Sequence, residues 1–182
     1  MGLKHIGSLT GRLFLITQPE EFARWNGSKE IEYGQSDYEL LDNFISCDEG
    51  DLTSFSKSPG ITSYLFYSIS TKIELFVKEN GFVICDGLYF NETWNYSDEI
   101  FFKRIEKINL KINVLENCLI ISDAASEGSK ISEISENGTY KNNLDLVGLV
   151  NLGNGIYDVL KVETNILIEG ENVMLKGVEI SR

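Results

Sequence analysis

KENGFVICDGLYF, residues 78–90, is the stretch on which the fold turns. Asn80-Gly81 separates two apolar runs, IELFV (73–77) and FVIC (82–85), and an Asn-Gly pair between such runs is the strongest short-range hairpin signal. Apolar side chains occupy both parities of FVIC, which predicts a central strand covered on both faces. The same reading extends outward. SYLFYSIS (63–70) is rich in aromatic and β-branched residues, as strands are. Ile108, Leu110, Ile112 and Val114 alternate with Asn109, Lys111 and Asn113, which predicts a strand with one face in water. CLIIS, LDLVGLV, GIYDVLKVE, NILIE and NVMLKGVEI follow as further strands, with Asn154-Gly155 as a second hairpin candidate.

Toward the N-terminus GRLFLIT (11–17) reads as a short strand, and the period then changes. QPEEFARWNG carries Pro19 at a first helical position, Glu20 and Glu21 at the positive end of the helix dipole, and Asn26-Gly27 as terminator. Phe22 and Trp25, three residues apart, would share an inner face. Ser36 followed by Glu39 forms a capping box, and Leu40, Leu41, Phe44 and Ile45 recur at helical spacing after it. The predicted class is α+β, mostly antiparallel β-sheet, with two short N-terminal helices over part of a sheet.

A chain of 182 residues has the length for one domain, 1–182, that buries most of its unfolded surface. Its halves also look alike. LFLIT, YLFYSIS and IELFVKENGFVICDGLYF parallel LIISD, YDVLKVE and NILIEGENVMLKGVEIS, suggesting half-repeats at about 8–92 and 108–182. Cys47, Cys85 and Cys118 are odd in number and lack CxxC spacing, and two of them sit in apolar runs, which predicts free, buried thiols. The sequons at Asn26, Asn91, Asn95 and Asn137 have no secretion signal beside them, so a cytoplasmic protein is expected.

Sixteen basic against 28 acidic residues give a net charge of -12, which opposes binding to nucleic acid and to anionic membrane. Charge is concentrated: Lys29 to Asp51 holds eight acids and one base, so 1 minus 8 leaves -7 of the total there. Within it, SDYELLDNFISCDEGD (36–51) threads apolar and aromatic residues between carboxylates.

Chemistry is sparse by comparison. His5 is the sole histidine, in a lead segment expected to be mobile, which leaves a Ser-His-Asp triad one poor candidate. No phosphate-cradling glycine motif and no zinc-ligand spacing occurs, and Asp48, Glu49 and Asp51 around Gly50 lack the EF-hand order. No cofactor is expected. Two readings stay open beside a binding role. A carboxylate pair among so many acids would suit a glycoside hydrolase, and Trp94 and Tyr96 in NETWNYSDE would suit a carbohydrate- or small-ligand-binding β-rich module.

GRLFLITQPEEFARWNG, SDYELLDNF, ENGFVICDGLYFNE and CLIISDAASEG together resemble the immunity protein 21 family of bacterial polymorphic toxin systems, from about Gly11 to Gly128. Pro19, Trp25, Gly27, Asp37, Tyr38, Asp123 and Gly128 carry the likeness, while Leu40-Leu41-Asp42 replaces the family's Arg-Ala-Cys. The resemblance implies a non-catalytic cytoplasmic protein that binds and neutralises a cognate toxin. Negative charge would speed association if that toxin is a basic nuclease. On this reading Asp37, Glu39, Asp42, Asp48, Glu49 and Asp51 form the rim of a docking surface with Tyr38 as its aromatic anchor. Independently of the resemblance, Trp25, three residues from Phe22 and just before a helix-ending glycine, is expected in the core.

Overall fold

The computed structural model describes residues 3–29, 35–41, 51–57, 59–68, 72–86, 102–128, 135–136, 139–140, 147–168 and 171–182. The elements run β1 (Lys4–Thr10), β2 (Leu13–Thr17), α1 (Pro19–Ala23), α2 (Asp37–Leu41), β3 (Leu52–Phe55), β4 (Ser63–Tyr67), β5 (Lys72–Lys78) and β6 (Gly81–Asp86). They continue with β7 (Lys103–Val114), β8 (Cys118–Asp123), β9 (Ser135–Glu136), β10 (Thr139–Tyr140), β11 (Val147–Asn151), β12 (Gly155–Ile168) and β13 (Glu171–Ser181). Two antiparallel sheets result, one ordered β1-β5-β6-β13-β12-β7 and the other β11-β8-β2-β4-β3, beside the two-stranded β9-β10 ladder.

Alternation along each strand explains why the sheets stack. Phe14 and Ile16 of β2, Leu119 and Ile121 of β8, Phe82 and Ile84 of β6, and Val178 and Ile180 of β13 all point into one core between the sheets. The intervening residues face outward and are buried as well. Leu13, Leu15 and Ile120 lie under the two helices, while Val83, Cys85, Val162 and Leu175 form a third cluster on the far side of the six-stranded sheet. Double coverage is why FVIC, LFLI and LII are continuous apolar runs. β7, at a sheet edge, keeps the expected alternation, with Ile112 and Val114 buried and Lys111 and Asn113 exposed.

Several expectations change in detail. The β5–β6 turn is Glu79-Asn80, because Lys78 pairs with Gly81. Gly81 opens β6 opposite Ser181, where an added Cβ would overlap the Ile180 carbonyl, so close approach of β13 explains that glycine. Asn154-Gly155 closes no hairpin: β11 and β12 belong to different sheets. The Asn154 side chain instead accepts the Asn117 N–H at 2.6 Å. GIYDVLKVE and NILI form one 14-residue strand rather than two, since Glu163-Thr164-Asn165 stays extended in the ladder with β13.

With β3 set aside, the strand order reads the same from either end when β1, β2, β4, β5 and β6 exchange with β7, β8, β11, β12 and β13. The topological counterpart of YLFYSIS is therefore VGLVN of β11, not YDVLKVE, because β4 and β11 are the strands that flank the central β2–β8 pair. α1, α2 and β3 lie between β2 and β4, in a connection that runs from 18 to 62.

His5 is not in a loose lead. It lies on β1, paired to β5, and its Nε2 is 2.7 Å from Glu74 Oε2, which also accepts the Ser8 hydroxyl at 2.6 Å. Lys72 reaches the other oxygen of that buried carboxylate at 2.8 Å. A register shift near Gly7 breaks the alternation by which this strand would have shown itself. Glu179, half a sheet away, receives Lys78 of β5, Arg104 of β7 and the Ser181 hydroxyl. Burial raises its pKa, and those hydrogen bonds outweigh burial to leave it lowered.

Cys85 and Cys118 are free and buried, and burial raises both thiol pKa values, that of Cys118 to about 11. Cys47 lies outside the described residues. Among the described residues no helix is long and apolar enough to cross a membrane.

Candidate functional site

The helices are held to the five-stranded sheet by the segment that follows β8. Gly128 N–H donates to the Trp25 carbonyl at 2.6 Å, and Trp25 Nε1–H donates to the Ala124 carbonyl at 2.8 Å. Ser28 N–H reaches the Ala125 carbonyl at 3.1 Å. Gly27, at φ +58°, turns the chain out of α1 in the left-handed region that suits glycine. Its carbonyl then accepts Tyr38 N–H at 2.9 Å, so the end of the first helical segment is joined to the start of the second.

α2 begins with the predicted capping box. Ser36 Oγ accepts Glu39 N–H at 3.2 Å, and Glu39 Oε2 accepts Ser36 N–H at 2.7 Å. Asp37 does not lie on a rim. It is 3% exposed, and its Oδ2 accepts Asn26 N–H at 2.7 Å and Lys57 Nζ at 2.5 Å. A buried carboxylate needs such partners, and these two tie α2 to the end of α1 and to the β3–β4 connection. Tyr38 is half-buried, packed against the cluster under the helices. Glu39 is exposed, and Asp51, half-buried, pairs with Lys161 of β12 at 2.5 Å. Asp42, Asp48 and Glu49 lie outside the described residues, as do Trp94 and Tyr96.

Between α2 and the β3–β4 connection opens a cleft of about 360 Å³, lined by Trp25, Asp37, Leu40, Leu41, Phe55, Ser56 and Lys57. Trp25 and Phe55 make its floor, their rings edge to face with centroids 6.0 Å apart. Lys57 Nζ stands 5.4 Å from the Trp25 ring centre and donates to the Arg24 carbonyl at 3.0 Å as well as to Asp37. Leu40, left 40% exposed, forms the lip. Of these lining residues the sequence marks Asp37 as a site residue and Trp25 as core, and it does not mark Leu40, Leu41, Phe55, Ser56 or Lys57 as site residues. Phe55 sits in a four-residue strand too short to show a period, and nothing in SFSKSPG marks Lys57 as the partner of Asp37.

Trp25, Gly27, Asp37, Tyr38, Asp123 and Gly128 meet around this assembly. Pro19 starts α1. Asp123 Oδ1 accepts Ala125 N–H at 3.0 Å and so shapes the turn that receives Trp25. Burial raises the pKa of Asp123, against a smaller lowering by that hydrogen bond. Its protonated form is therefore favoured more in the folded chain than in the unfolded one. The associated stability is present below the ordinary value of 3.8 and is lost as pH rises through the folded value. Asp123→Asn, which keeps the acceptor without the charge, is expected to raise the melting temperature at pH 7 by a few degrees. The gain should shrink as pH falls and vanish below the ordinary value of 3.8, and thermal melts across that range check it.

Among the described residues no group of three or more His, Cys, Asp or Glu side chains is placed to hold a metal ion. No family model, no curated protein and no solved structure matches the chain.

Proposed function

We propose that this chain is an immunity-type protein that binds a cognate protein toxin and neutralises it without catalysis. The observation that carries the reading is that α2, which lies within the most acidic stretch of the sequence, forms one wall of an apolar cleft. α2 and its flanks, residues 29–51, hold -7 of the net charge of -12. A binder needs these two things, long-range steering and a patch where water is displaced. The connection from 18 to 62 also breaks the match between the halves by its placement of α1, α2 and β3, and connections on a rigid scaffold are where binding residues concentrate.

Co-expression with the toxin encoded immediately upstream tests the reading, with growth rescue by the wild type as the expected result. Reversing Asp42, Asp48 and Glu49 to Lys should slow association about tenfold and flatten its salt dependence, because surplus charge acts on encounter. The melting temperature should hardly move. Asp37 and Glu39 are left out of that set, since the buried charge of the one and the capping hydrogen bonds of the other belong to folding. Failure of the wild type to rescue growth removes the toxin reading, and unchanged association kinetics in the reversals reduces the acidic stretch to a solvated face.

A further inference from the structure

We infer that the cleft between α2 and the β3–β4 connection receives an apolar side chain projected from a cationic segment of a protein partner. The partner supplies the knob and this chain the hole. The identity of that partner as a toxin rests on the reading above; the chemistry of the cleft does not.

Tyr38, the one aromatic of the acidic stretch within α2, packs inward against the cluster under the helices, so it is not held out as an anchor. What α2 presents to solvent is Leu40, at the lip of a cleft floored by Trp25 and Phe55. A volume of about 360 Å³ exceeds the roughly 150 Å³ that encloses a benzene ring, so one aromatic side chain and its backbone approach can be accommodated. Such a pocket, apolar below and ringed by polar groups, is the setting in which a single inserted side chain dominates an interface.

Charge selects the flanks of that side chain. Lys57, the cation in the wall, is already met by Asp37 and by the Arg24 carbonyl. Arg24 in turn is paired with Glu20. These cations are compensated locally, whereas Glu39 stands exposed at the start of α2, in the segment that carries the surplus of acids. A basic segment is drawn to this mouth and an acidic one repelled. A second copy of this chain is a poorer occupant. The row of cations on β7 is already engaged, Lys103 with Glu163, Arg104 with Glu179, and Lys107 and Lys111 with Asp158.

Three end-capped pentapeptides titrated into the whole isotope-labelled protein test this by NMR: Lys-Lys-Phe-Lys-Lys, Lys-Lys-Ala-Lys-Lys and Glu-Glu-Phe-Glu-Glu. The first should shift the Trp25 indole and Leu41 signals and bind at least tenfold more tightly than either of the others. Ser56→Trp, which fills the mouth from one wall, and Leu40→Asn, which makes the lip polar from the other without changing its charge, should each weaken it about thirtyfold. Melting curves identify a variant that fails to fold, and the other then decides. Equal binding by the alanine peptide leaves charge alone, and equal binding by the acidic peptide leaves an apolar site without charge selection; either overturns the inference. So does binding untouched in a folded cleft variant, or a concentration-dependent dimer that covers the cleft. Peptide selectivity with failed growth rescue removes the toxin and keeps the cleft's specificity, whereas rescue without selectivity places the toxin contact elsewhere.

Discussion

Trp25→Ala is expected to lower the free energy of unfolding by about 3 to 5 kcal/mol, the range for aromatic truncation in a core. The ring is 3% exposed and sits between Phe55 and the outer face of the five-stranded sheet. Its removal does more than open a cavity. The Ala124 carbonyl loses the indole N–H that it accepts at 2.8 Å, and an acceptor stranded in a buried place adds to the cost. Lys57 also loses the ring beneath its ammonium, and with it part of the wall that keeps Asp37 paired. Denaturant unfolding measures the effect, and Trp25→Phe, which keeps most of the aromatic volume but no donor, should recover more than half of it. A melting temperature equal to that of the wild type, with binding lost, would reassign Trp25 from core to contact.

Gly128→Ala should be comparably severe for a substitution that adds one methyl group. A Cβ at position 128 would overlap the carbonyl oxygen of Phe22 and come within 3.1 Å of that of Trp25. Both are backbone atoms in the last turn of α1 and its exit, so neither can rotate away. Relief requires the segment after β8 to retreat from the helix, which breaks the Gly128 to Trp25 hydrogen bond and drags on the Ala124 contact. A loss of roughly 3 kcal/mol is expected, at the upper end of overpacking penalties. Amide hydrogen exchange checks the mechanism: α1 and α2 should lose protection while the central strands β2, β6, β8 and β13 keep theirs. Uniform loss across both sheets would mean that the helices are not a separate layer held by this contact.

Local chemistry explains which parts of this fold could be read from residues alone. Pro19 sets the first turn of α1, Ser36 and Glu39 cap α2, and both parities of FVIC are apolar because β6 lies between two covered faces. Each depends on neighbours within a few residues in sequence. β1 escaped notice because a register shift near Gly7 interrupts its alternation, and β3 because four residues are too few to show one. Asn-Gly is a turn signal, yet what Gly81 accommodates is the backbone of β13, a hundred residues away.

The sequence by itself determined a strand-rich, two-helix protein with a heavily acidic segment at residues 29–51, since periodicity, capping and charge are properties of short windows. Tertiary structure decided the roles inside that segment. Asp37 and Glu39 are two residues apart and alike in chemistry, but one is enclosed by Asn26 and Lys57 while the other faces water. The side of α2 that meets the sheet sets that difference, and so does the arrival of Lys57 from the β3–β4 connection. Glu39 is held locally by its capping box with Ser36, whereas Asp37 is held by groups that the fold brings to it, too far along the chain for a short window to contain them.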